Sequence, residues 1–153
     1  AVSQLAEDFP QVTFLVKPHH AGLWLTQRYE GQRPVAFNLV IADPQTSPWE
    51  NHTASALLGS MTAVITTPST VALDAARYGL PVAVFAGGLD LSNYQPLPLL
   101  QTLADWQAFV KASLDTAQRA SLKNAASSFV ERVLIEGDGA QRIAADLIAV
   151  TQK

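Results

Sequence analysis

Two adjacent hydroxyl side chains, Ser69 and Thr70, stand where the sequence predicts that a helix begins. A hydroxyl oxygen at this place accepts a hydrogen bond from one of the unpaired backbone N–H groups of the first helical turn. The second hydroxyl and the remaining N–H groups are then available to an anion, and phosphates suit such sites. The pair therefore predicts a phosphate site, with a plain N-cap by Ser69 as the structural alternative.

A second group of polar residues, Lys17, His19 and His20, follows the apolar run that begins at Val12. Pro18 has no N–H group and ends a central strand, so the histidines fall in the loop beyond it. A cationic histidine suits a phosphate. The alternatives are an exposed strand end for Lys17 and ordinary loop histidines for His19 and His20.

These residues need a scaffold that delivers strand ends to one edge. The segment from residue 63 to 85 predicts a strand, a turn, a helix stopped by Gly79 and a second strand opened by Pro81, which is a βαβ unit. Apolar runs predict parallel strands at 12–17, 37–42, 63–66 and 82–85. Helices are predicted at 2–9, 22–29, 49–59, Leu103–Leu114, Thr116–Leu134 and Ala140–Val150, and a functional loop at 86–98.

The expected fold is therefore an α/β, Rossmann-like parallel sheet of at least four strands. Helices cover both faces of the sheet, and a helical tail ends the chain. At 153 residues the chain predicts a single domain, residues 1–153. Because Ala1 lies inside a helical pattern, we expect the domain to be excised from a longer two-domain chain.

Composition excludes several classes of function. The net charge of −3 argues against nucleic acid as a partner. The absence of cysteine excludes disulfides and thiolate metal sites and favours the cytoplasm. No apolar run is long enough to span a bilayer. Adjacent histidines make a poor metal site, so we expect neither a metal nor a cofactor.

Three motifs together carry a resemblance. Lys17-Pro18-His19, then Thr67-Pro68-Ser69-Thr70 with Asp74, then Gly79-x-Pro81, resemble the carboxyl-terminal half of a GT-B glycosyltransferase. The closest likeness is to enzymes that use cytidine nucleotides: CDP-glycerol glycerophosphotransferases, bacterial sialyltransferases and capsule-polysaccharide transferases. Asp90 and Tyr94 resemble a further motif of these enzymes. His20 departs from the family pattern, which has proline after the histidine.

The resemblance implies a role for each matched residue. His19, helped by Lys17, would pair with the phosphate of a nucleotide-activated sugar or alditol donor, and Ser69 and Thr70 would hold the same phosphates. Asp74 would reach the ribose hydroxyls, with a solvated helix carboxylate as its alternative. The acceptor domain and its general base would lie in a missing amino-terminal half. The catalytic residues are therefore unknown, the isolated domain is expected to be inactive, and any membrane association would come through the missing part.

Two other functions remain open. One is half of a protein like UDP-N-acetylglucosamine 2-epimerase, which is disfavoured because that family's Ser-Gly-Gly and paired glutamates are missing. The other is a non-catalytic α/β module that binds a nucleotide or a partner protein through the same helix end.

Overall fold

The computed structural model describes residues 1–18, 34–134 and 137–151. Its helices are α1 (Val2–Asp8), α2 (Ala54–Leu57), α3 (Val71–Arg77), α4 (Leu103–Leu114), α5 (Thr116–Val133) and α6 (Gly139–Thr151). Its strands are β1 (Phe14–Val16), β2 (Leu39–Ile41), β3 (Val64–Thr66), β4 (Val82–Phe85) and β5 (Leu99–Leu100). No helix within the described ranges is long and apolar enough to cross a membrane.

The strands form two parallel sheets. In the first, β1 pairs with β2, and Phe14 lies opposite Leu39. In the second, β4 lies between β3 and β5, with Val64 opposite Val82 and Val84 opposite Leu99. The α/β class and the four predicted strands are confirmed. Among the described residues the four strands lie in two sheets, because no ladder joins β1 to β3.

The three-stranded sheet holds the core. Successive side chains of a strand point to opposite faces. Val84 accordingly packs with Ala75 of α3 and Phe129 of α5, whereas Ala83 packs with Phe109 of α4. Both faces of β4 are covered, and Val82, Ala83 and Val84 are fully buried.

The helix that follows β3 ends as its sequence predicts. Gly79 adopts a left-handed conformation with φ of +75°. Its N–H group donates to the Ala76 carbonyl at 2.9 Å, and the Leu80 N–H group donates to the Ala75 carbonyl at 3.2 Å. This pair of bonds is a Schellman motif, which turns the chain from α3 into β4.

A buried amide ties α1 to the two-stranded sheet. The side-chain nitrogen of Asn38, just before β2, donates to the carbonyls of Ala6, Phe9 and Val12 at 3.0, 3.1 and 2.7 Å. These carbonyls belong to α1 and to the turn that leads into β1. Asn38 therefore fixes where α1 ends relative to the start of both strands.

One predicted element starts at a different residue, and one strand was not predicted. The helix predicted from Trp49 begins only at Ala54, because Thr53 caps it by accepting from the Ala56 N–H group at 3.1 Å. The stretch 86–98 is a loop, as predicted, with a 3₁₀ turn at Ser92–Tyr94 inside it, and it leads into β5, which was not predicted. The helix predicted at 22–29 lies outside the described residues.

Candidate functional site

A cavity of about 480 Å³ lies between β1 and β3. Both strands line it, and side chains of α1 and α4 close part of it. Most of its wall is apolar, including Leu5, Ile65 and Phe109. The polar part includes Lys17, Thr66 and Thr67, which lie where β1 and β3 end.

Lys17 is the cation of this wall. Its side chain is half-buried, and its amino group donates to the Pro18 carbonyl at 3.3 Å. An ammonium group has three donors. Lys17 therefore keeps donors for an anion in the cavity while one of them holds the side chain against the loop.

The hydroxyls after β3 form an ordered chain of hydrogen bonds. The Val71 N–H group donates to Ser69 Oγ at 3.3 Å, and Ser69 Oγ lies 3.1 Å from Thr66 Oγ1. Thr66 Oγ1 in turn donates to the Thr67 carbonyl at 3.0 Å. Since a hydroxyl has one hydrogen, Ser69 is the donor to Thr66. Ser69 therefore uses its hydrogen within the turn.

The predicted pair does stand at the start of a helix. Thr70 occupies the N-cap position of α3, but its side chain makes no capping bond and is exposed. Ser69 makes the side-chain bond to the first turn instead. Neither residue lines the cavity, and Ser69 is joined to the cavity wall through its hydrogen bond with Thr66.

Asp74 is set apart from this group. Its carboxylate accepts from the Ser55 hydroxyl at 3.1 Å, which links α3 to α2. It does not line the cavity. Its predicted contact with a ribose stays a prediction, and the observed bond gives it a structural role as well.

His19 and His20 lie outside the described residues, so their predicted roles stay predictions. Asp90 and Tyr94, the further motif of the resemblance, have structural partners. Asp90 accepts from the Ser92 N–H group at 3.0 Å and so begins the 3₁₀ turn, while the Tyr94 ring stacks on Phe129.

Sequence reasoning passed over three polar residues. Thr66 was predicted only as the last residue of a strand, and Thr67 only as part of the Thr67-Pro68-Ser69-Thr70 motif, with no binding role of its own. Asp43, after β2, is buried and accepts from the Gln45 N–H group at 2.9 Å. That bond is an Asx-turn, which gives Asp43 a structural task.

The described part of the chain contains no cluster of three or more histidine, aspartate or glutamate side chains that could hold a metal. At the ends of β1 and β3 the cavity wall offers the Lys17 ammonium group and the Thr67 hydroxyl as donors to an anion, because Thr66 uses its hydroxyl hydrogen within the turn. Searches for relatives found no matching family model, no similar curated protein and no similar solved structure.

Proposed function

We propose that this chain is the donor-nucleotide-binding half of a GT-B transferase. In this proposal a sugar or alditol phosphate moves from a cytidine nucleotide to an acceptor on a cell-surface glycan. The two sheets are then parts of one Rossmann-like sheet, and the domain works in the cytoplasm together with an acceptor domain. Its partner is the nucleotide-activated donor.

One observation carries the proposal: Lys17, from the end of β1, and Thr66 and Thr67, from the end of β3, line the same cavity. Ligands of open α/β sheets bind beyond the carboxyl ends of the strands, where two strand ends part. The Lys17 ammonium group and the exposed Thr67 hydroxyl suit the oxygens of a diphosphate, while Thr66 holds the turn in place through its bond to the Thr67 carbonyl. A cation beside the leaving phosphate also stabilises the charge that develops there during transfer.

Calorimetric titration with CMP, CDP, UDP and GDP tests the proposal. We expect weak binding of the cytidine nucleotides to residues 1–153 alone, because in this proposal the acceptor domain forms the other half of the enclosing cleft. A clear preference for UDP or GDP would reject the cytidine assignment. No binding of any of the four at about millimolar concentration would favour the non-catalytic module.

Two pairs of variants locate the site. Lys17→Gln should weaken CDP binding about tenfold, since a hydrogen bond to a charged group contributes about 1.5–3 kcal/mol. Lys123→Gln, on the exposed surface of α5, is its control. Thr67→Val should also weaken binding, whereas Thr62→Val, which alters the cavity wall before β3, should not. Equal effects within each pair would contradict the proposed site.

A further inference from the structure

The cavity between β1 and β3 is bounded on one side by an open strand edge. The Phe14 N–H group donates to the Asn38 carbonyl at 2.8 Å, and the Ala42 N–H group donates to the Val16 carbonyl at 2.8 Å. The backbone groups of Phe14 and Val16 therefore face β2. Because these groups alternate along a strand, the N–H and C=O of Leu15 face the cavity.

The opposite side of the cavity has the same character. The Val64 N–H group donates to the Pro81 carbonyl at 2.9 Å, and Val64 and Thr66 lie opposite Val82 and Val84 of β4. The backbone N–H and C=O of Ile65 consequently turn away from β4 toward the cavity. Within the described residues, neither this edge nor that of β1 has a partner strand.

The two edges do not pair with each other, and a cavity lies between them. Paired strands lie about 4.8 Å apart, so an inserted strand would hold β1 and β3 about 9.6 Å apart. β1 and β3 do not approach each other as closely as the paired strands of either sheet do. The space between them is the 480 Å³ cavity with its mainly apolar wall. Backbone groups left unpaired against such a wall are unfavourable.

We propose that this cavity receives one additional β-strand, formed by polypeptide joined to the amino end of α1. Val2 and Leu5 of α1 line the cavity, and α1 leads directly into β1. A strand that enters β1 through a helix pairs parallel to it with a right-handed connection in nearly all proteins. The inserted strand would therefore lie beside β1 and complete the order β2, β1, inserted strand, β3, β4, β5.

The chemistry of the cavity specifies the strand. Its apolar wall requires a short run of β-branched apolar residues, as in other central parallel strands. The inserted strand would fill the apolar part of the cavity. Lys17 and Thr67, which follow β1 and β3, would remain accessible beyond its end. The inference depends only on backbone pairing, so it stands or falls separately from nucleotide binding.

The test extends the chain before Ala1. The extension carries about six valine, isoleucine and threonine residues, followed by a turn of about four polar and glycine residues. A matched control replaces the two central strand residues with proline, which cannot donate to a ladder. Amide hydrogen exchange is then followed by NMR at Leu15 and Ile65, with Phe14 and Val64, already paired, as internal references.

We expect exchange at Leu15 and Ile65 to slow by about a hundredfold or more in the extended chain and to remain unchanged in the proline control. Equal protection in the chain without an extension would mean that the sheets close on each other, and would overturn the proposal. Protection that rises with protein concentration would indicate a second copy and would overturn it as well. If the extended chain aggregates, the same strand is added as a free peptide, and absence of protection then rejects the inference.

Discussion

The Ser69 hydroxyl has two partners in the turn after β3, and the Thr70 hydroxyl beside it has no capping partner. Ser69 Oγ accepts from the Val71 N–H group and contacts Thr66 Oγ1. The Thr70 side chain is exposed and makes no capping bond. The two hydroxyls therefore differ in what they contribute to the free energy of unfolding, although their sequence positions are equivalent for capping.

Alanine substitution should distinguish the contributions of the Ser69 and Thr70 hydroxyls to stability. Ser69→Ala should lower the free energy of unfolding by about 1 kcal/mol, the usual cost of losing a helix cap. Thr70→Ala, the matched control, should change it by less than about 0.5 kcal/mol, as exposed substitutions do. Urea denaturation at neutral pH measures both. An equal cost for the two variants would contradict the hydrogen-bond chain described for this turn.

At this scale, sequence alone predicted the hydroxyl pair at a helix start but not which hydroxyl caps the helix. Capping depends on the dihedral angles of two adjacent residues, and the sequence favours both equally. Thr66 and Thr67 were given no binding role for another reason. They are candidate site residues because they line the same cavity as Lys17. No local sequence pattern relates residues at the ends of different strands.

The amino end of α4 is closed by a capping box, in which Thr102 and Asp105 each bond the other's backbone N–H group. Thr102 Oγ1 accepts from the Asp105 N–H group at 3.3 Å, and the Asp105 carboxylate accepts from the Thr102 N–H group at 2.8 Å. The same carboxylate accepts from the Gln101 N–H group at 3.0 Å. These backbone bonds, that to Thr102 above all, hold the pKa of Asp105 below its usual value of 3.8.

The lowered pKa of Asp105 makes the stability of the fold depend on pH. A carboxyl group whose pKa is lower in the folded chain stabilises the fold above the unfolded pKa, and the contribution is lost as pH falls through the folded pKa. Asp105→Asn should therefore lower the Tm at pH 7 and have a smaller effect near about pH 3. Thermal denaturation of both chains at the two pH values measures this difference. A gap in Tm that stays constant with pH would contradict the assigned cause.

Elements with strong local signals could be predicted, and the others could not. Asp115 was predicted to begin α5, and its carboxylate accepts from the Gln118 N–H group at 2.8 Å. By contrast, β5 has only two residues, Leu99 and Leu100, which is too short for any period to appear. The predicted helix includes Trp49, but the Trp49 N–H group donates to the Thr46 carbonyl and the His52 N–H group donates to the Trp49 carbonyl, and these bonds form turns before α2 begins.

For the whole molecule, the two sheets differ in how well they are covered. The central strand of the three-stranded sheet is buried on both faces between α3, α4 and α5. In the two-stranded sheet every residue of β1 is only half-buried, and Val40 of β2 is 36% exposed. Sequence predicted the apolar runs in both sheets, but it could not predict this difference. Coverage depends on where distant helices pack.

Because the two sheets are covered to different extents, we expect them to open locally with different free energies. The Val84 and Ala42 amides form a matched pair: both residues are fully buried, and their N–H groups donate at 2.9 and 2.8 Å to neighbouring strands. Val84 belongs to the covered sheet, so its amide should exchange only through global unfolding. The Ala42 amide should exchange at least about a hundredfold faster, because the two-stranded sheet can open while the rest stays folded. Native-state hydrogen exchange in low urea measures both, and the Val84 rate should follow the global slope. Identical rates and slopes would mean that the two sheets unfold as one unit, in which case their different coverage has no energetic consequence.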